Sequence, residues 1–137
     1  MSERTRRRSK TSGAAGSSSG VTWAVVKQLA LELPGVVEST SYGTPALKVD
    51  GKLIARLRED GATLALRMGF IERQELMGSD PATFFITDHY LKYPAVVVNL
   101  GTVRRAVMQK LLAGTWRWVA PKRRTAAADA KPVRRRR

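Results

Sequence analysis

The chain has 137 residues, 43% of them hydrophobic, with a formal net charge of +14, a single histidine and no cysteine. That composition excludes disulfides, thiol chemistry and a zinc site built from cysteine and histidine, so no metal or other cofactor is expected. No run approaches the roughly 18 apolar residues that cross a bilayer, and the length suits one domain.

Residues 1–20 carry Arg4, Arg6, Arg7, Arg8 and Lys10 against Glu3, ending in a Gly/Ala/Ser linker. They hold charge but no apolar segment of the kind a secretory signal needs, and they bury too little to offset the entropy of ordering them. A basic, disordered arm is expected there, followed by one folded domain over residues 21–120.

The first helix is expected from Thr22 to Leu33, where Val26, Leu29, Ala30 and Leu33 share one stripe before Pro34-Gly35 stops it. Glu38 to Tyr42 reads as a polar connection. Asp50-Gly51 and Asp60-Gly61 then divide Pro45–Val49, Lys52–Arg58 and Thr63–Met68 into an antiparallel meander, because both positions of an Asp-Gly turn tolerate positive φ. Strict alternation sends Leu47, Val49, Leu53, Ala55, Leu57, Leu64, Leu66 and Met68 to the core. It sends Lys48, Lys52, Arg56, Arg58 and Arg67 to the opposite face, which is therefore expected to be solvent-facing and cationic.

Phe70 to Met77 reads as a short helix closed by Gly78. Asp80-Pro81 reads as a cap and first position of one further helical turn through Phe84 and Phe85. Thr87 to Pro94 is a polar, aromatic loop. Ala95 to Leu100, apolar almost throughout, suits a strand covered on both sides. Thr102 is placed to cap a last helix bearing Val103, Val107, Leu111 and Leu112, with Gly114 as its stop and a second short helix from Thr115 to Ala120. Helices on one face of an antiparallel sheet make an α+β two-layer sandwich.

Residues 121–137 carry Lys122, Arg123, Arg124, Lys131, Arg134, Arg135, Arg136 and Arg137 against Asp129. The two ends hold +4 and +7 of the total, leaving +3 for the middle. A second disordered basic arm is expected. Flexible cationic arms around a nearly balanced domain suit a polyanion held without base readout, since each Lys or Arg near a phosphate releases condensed counterions. Nucleic acid, as double-stranded DNA, is the expected partner, bound through the sheet cations named above and through Arg6, Arg7, Arg8, Lys122, Arg123, Arg124 and Arg134 to Arg137. No membrane partner is expected, and the expected location is cytoplasmic and nucleoid-associated.

Two further groupings compete with that reading. Thr87, Asp88, His89 and Tyr90 are the one cluster suggesting acid-base chemistry, with Ser39, Thr40 or Ser41 as conceivable nucleophiles. Neighbours in sequence seldom serve as base and orienting carboxylate for each other, and no nucleophile elbow accompanies the serines, so no enzyme is expected. The alternative is a small-molecule or protein-binding pocket between the sheet and the Thr87–Tyr93 loop, with His89, Tyr90 and Lys92 as its residues. Trp23, Trp116, Trp118, Tyr90 and Tyr93 are candidate stacking platforms.

The run LPGVVESTSYGTPALKV from Leu33 to Val49, with Gly51-Lys52 and Thr87-Asp88-His89-Tyr90, resembles the MmcQ/YjbR family of small bacterial proteins over roughly residues 21–122. The resemblance implies a fold similar to that of CyaY and frataxin. It also implies DNA binding by paired β-hairpin wings, here Val49–Leu53 and Arg58–Thr63. Frataxin-like iron binding does not carry over, since the first helix has a single acid, Glu32. Asp50, Glu59 and Asp60 at the wing tips would face phosphates unless they serve the turns.

Overall fold

A computed structural model describes residues 20–127. Arg6, Arg7, Arg8, Lys131 and Arg134 to Arg137 lie outside the described residues. Helix α1 spans Trp23–Leu31 and is capped by Thr22, whose hydroxyl accepts the Val25 amide at 3.2 Å. Strands β1 (Val36–Ser41), β2 (Thr44–Val49), β3 (Lys52–Leu57) and β4 (Thr63–Arg67) follow as a meander. Then come α2 (Phe70–Ser79), β5 (Phe84–Phe85), a 3₁₀ turn at Asp88–Tyr90, β6 (Ala95–Asn99) and α3 (Arg105–Val119). All neighbours in the six-stranded sheet are antiparallel, in the order β1-β2-β3-β4-β6-β5.

The expected α+β two-layer sandwich is what forms. Helices α1 and α3 cover one face, where Val26, Leu29, Met108, Leu112 and Trp116 join Leu47, Val49, Ile54, Leu64, Leu66, Val96 and Val98 in the main core. Burying a side chain of this size stabilises the fold by about 1.5–3 kcal/mol. Strand β6 is covered on both sides as expected: Val96 and Val98 enter the main core, while Ala95 and Val97 enter a smaller cluster with Ala65 and Tyr90 on the other face.

Several local expectations change. The polar segment after Pro34-Gly35 is the edge strand β1, paired residue by residue from Val36↔Val49 to Ser41↔Thr44. An edge strand needs only one buried position, and Val36 supplies it. Its hairpin turns on Tyr42 and Gly43, both at positive φ (53° and 79°), matching the pair at Asp50 and Gly51 (49° and 81°). Asp80 ends α2 rather than starting a helix; its carbonyl takes the amides of Thr83 and Phe84, and Phe84-Phe85 pair with β6. Gly114 does not stop α3, which runs through it because Met108, Leu112, Thr115, Trp116 and Val119 keep one buried stripe. Thr102 does not cap α3 either; Arg104 holds the cap position, and the Thr102 hydroxyl lies 2.8 Å from that of Thr83.

The C-terminal segment also departs from expectation, since residues 122–127 are helical. Arg124 crosses Gly35, where a Cβ would collide with its guanidinium, and reaches the β2–β3 turn. There Nε and Nη2 donate to the Asp50 carboxylate at 2.6 and 3.1 Å, a two-pronged bond that holds the segment to the domain.

Candidate functional site

The largest change concerns the face opposite the helices. Leu47 pairs with Ala55 but Lys48 pairs with Leu53, so Ile54 is an extra residue in β3, a bulge. One inserted residue reverses the alternation on its N-terminal side. Ile54 therefore enters the main core, while Leu53 turns to the opposite face. Lys52 leaves the row of Arg56 and Arg58 and pairs instead with the core residue Val49, at the strand's exposed end.

Nor is the opposite face an open cationic surface. Tyr90, delivered by the 3₁₀ turn, lies 4% exposed against Ala65, Ala95 and Val97, with Phe85 and Ile86 beside it. Arg56, expected in solvent, is only 7% exposed. Its Nη1 donates to Thr44 Oγ1 at 3.0 Å and Glu59 Oε2 at 3.2 Å, its Nη2 to the Tyr90 hydroxyl at 3.3 Å, and its guanidinium sits 5.3 Å from the Tyr42 ring centroid. Arg58 donates to Thr63 Oγ1 at 3.1 Å and lies 5.9 Å from the Tyr90 ring. Arg67 lies 5.9 Å from the Tyr93 ring and 5.4 Å from that of Trp118. Arginine on an aromatic face is attractive and favours the partly dry environment this face provides.

These groups enclose a cavity of about 210 Å³ lined by Tyr42, Leu53, Arg56, Ala65, Arg67, His89, Tyr90, Tyr93 and Ala95. It exists because two floor positions, Ala65 and Ala95, are alanine, leaving room under the tyrosines. A shallower hollow shares Tyr42, Arg56, His89 and Tyr90 and extends to Arg58 and Glu59. The two sites read separately from the sequence, sheet cations and loop pocket, thus meet in one groove. Arg56, Arg58, Arg67, His89 and Tyr90 belong to it. Lys48 and Lys52 lie outside its lining, and Lys92 is exposed on the loop.

Arg73, on α2 and not among the residues expected at the site, shapes the loop. It is 8% exposed, and its Nη1 donates to the carbonyls of Tyr90, Tyr93 and Ala95 at 2.9, 2.9 and 3.0 Å, its Nη2 to that of Leu91 at 3.3 Å. The Tyr90 and Tyr93 carbonyls also accept the amides of Tyr93 and Ala95, so the guanidinium adds a second donor there and ties the loop to α2. No local pattern marks Arg73, since the carbonyls it gathers lie 17 to 22 positions further along the chain. His89 meets Tyr90 edge-on at 4.8 Å and joins no ion pair with a carboxylate among the described residues.

The acids at the two turns are all engaged. Asp60 accepts the amides of Ala62 and Thr63 at 2.9 Å each, which hold its carboxyl below its ordinary pKa with the Thr63 hydroxyl assisting. Glu59 is lowered by its own backbone amide and by Arg56. Asp50 is lowered chiefly by the Arg124 hydrogen bond, with Arg123 (3.6 Å) and Lys52 adding positive charge.

A family model described as YjbR matches residues 31–118. The chain belongs to the YjbR family. Among solved structures, the Deinococcus radiodurans protein DR2400, a DUF419 domain, is similar at 24% identity with a TM-score of 0.64, over 79% of this chain and 83% of that one, a likeness of fold. No curated protein matches. The YjbR match takes in every residue lining the cavity, whereas Arg123 and Arg124 fall beyond it. No helix among the described residues is long and apolar enough to cross a membrane, and no group of His, Asp or Glu there is suited to a metal.

Proposed function

We propose that this YjbR-family chain is a non-enzymatic, nucleoid-associated protein that binds double-stranded DNA through its phosphates. The observation that carries this reading is the neutralised wing tip. Asp50 alone would repel phosphates, but Arg124 and Arg123 pair with it, and Lys52 and Lys122 are exposed alongside. The β2–β3 hairpin and the start of the C-terminal segment thereby make one cationic ridge. At the second hairpin Glu59 is paired with Arg56, and Asp60, held by its own turn amides, keeps its charge with Arg58 nearby.

In this reading Lys48, Lys52, Lys122 and Arg123 contact the duplex, and the basic ends supply most of the long-range attraction. Arg56, held by Glu59, Tyr90 and Thr44, shapes the groove instead of touching phosphate. The test is a salt titration of full-length protein on generic duplex DNA. The expected log-log slope is about 0.9 per phosphate neutralised. Reversing Lys52 and Arg123 to Glu should lower affinity and flatten the slope; affinity that ignores both salt and the reversals would sink the proposal.

A further inference from the structure

Four guanidiniums serve the groove and its loop, and three of them have oxygen partners. Arg56 has Glu59, Tyr90 and Thr44; Arg58 has Thr63; Arg73 has four loop carbonyls. Arg67 differs. Its guanidinium lies by the rings of Tyr93 and Trp118 and has no oxygen partner among the described residues, while its Nε, like that of Arg58, is buried without a hydrogen-bond partner. A half-buried cation without an anion, lining a preformed cavity, is a common place for an acidic ligand group, because a bound anion gives its Nη groups charge-assisted hydrogen bonds.

The rest of the lining restricts that ligand further. Tyr42, His89, Tyr90 and Tyr93 present rings, Leu53, Ala65 and Ala95 give an apolar floor, and about 210 Å³ is below the range typical of drug-sized ligands. Rings suit a flat π-system, and a guanidinium suits a carboxylate or phosphate. We infer that the cavity binds a small flat aromatic ring bearing one anionic group, with Arg67 meeting the anion, Arg56 adding positive charge and Tyr93 and Tyr90 packing on the ring.

This inference stands apart from DNA binding and has its own test. Full-length protein at physiological salt is titrated with benzoate and with phenyl phosphate, which separate a carboxylate from a phosphate source. Benzamide and phenol serve as uncharged rings and inorganic phosphate as a ringless anion. Calorimetry gives the affinity and backbone amide shifts give the location. At least one ring-bearing anion should bind one to one, ten-fold or more tighter than its uncharged counterpart and than inorganic phosphate, moving the amides of Ala65, Tyr93 and Ala95. Arg67→Gln should weaken it ten-fold or more. Should that variant not fold, Tyr93→Leu, at an exposed ring, should weaken it instead. No binding by either anion, equal binding of phosphate, shifts confined to other residues, or indifference to both substitutions would overturn the inference.

Discussion

Arg56, expected on the outward side of a strand, and Arg73, not expected at the site at all, are both buried. What buries them comes from afar: Tyr90 lies 34 positions beyond Arg56, and the carbonyls that Arg73 gathers lie 17 to 22 positions beyond it. Local pattern carries no record of such partners, so the residue types of the site were legible while their environment was not. The consequence is that reversing Arg56 is a structural change, not a test of surface charge. Removing the Arg73 guanidinium is the cleaner probe. Arg73→Leu should cost about 2–4 kcal/mol, since the loop carbonyls lose their buried donors. Arg73→Lys should recover only part of it, because one ammonium cannot span the fork of four acceptors. Denaturant melts of the two variants check this, and a lysine variant as stable as the parent would contradict the clamp.

At the scale of elements, strands announced by Asp-Gly turns were legible to within a residue, because that dipeptide states its own backbone requirement. Strand β1 was not: its turn places Tyr42 at φ 53°, a region in which a tyrosine carries no sequence signal. The payoff is visible only in three dimensions, as the Tyr42 ring lies by Arg56. The β3 bulge was hidden for a related reason, since Leu53 and Ile54 are equally apolar and only pairing with β2 decides which one enters the core. The docked helical segment at residues 122–127 depends on the Asp50–Arg124 bond, and its pH response follows from the direction of the Asp50 shift. A carboxyl with a lowered folded pKa contributes above its unfolded value, near 3.8, and the contribution fades as pH falls through the lower folded value. The Arg124 side-chain Nε–H should accordingly exchange slowly with water at neutral pH and lose that protection only in strong acid. Asp50→Asn should remove the protection at every pH. Amide and guanidinium proton exchange by NMR measures both, and slow exchange persisting in the Asn variant would show that the segment is held by something else.

For the whole molecule, charge and fold are carried by different parts of the chain, and this separates affinity from stability. The main core draws on residues from Val26 to Val119, while most of the net positive charge lies outside residues 21–120. The two are joined by the Arg124 bond to Asp50, which sets Arg123 and Arg124 against the hairpin turn. Replacing Arg6, Arg7, Arg8 and Arg134 to Arg137 with Gln in the full chain should therefore act on DNA and leave the domain alone. Affinity for duplex DNA at low salt should fall steeply, and the salt slope should shrink by about 0.9 for each replaced arginine that neutralised a phosphate. The melting temperature should stay close to the parent's, because Arg-rich segments offer little apolar surface to bury. Salt-titrated binding and a thermal melt on the same preparation give both numbers. An unchanged slope would move the phosphate contacts onto the ridge of Lys52, Lys122 and Arg123, where the paired charge reversal already described would then carry the whole effect. A melting temperature lowered by many degrees would mean instead that the ends are part of the fold.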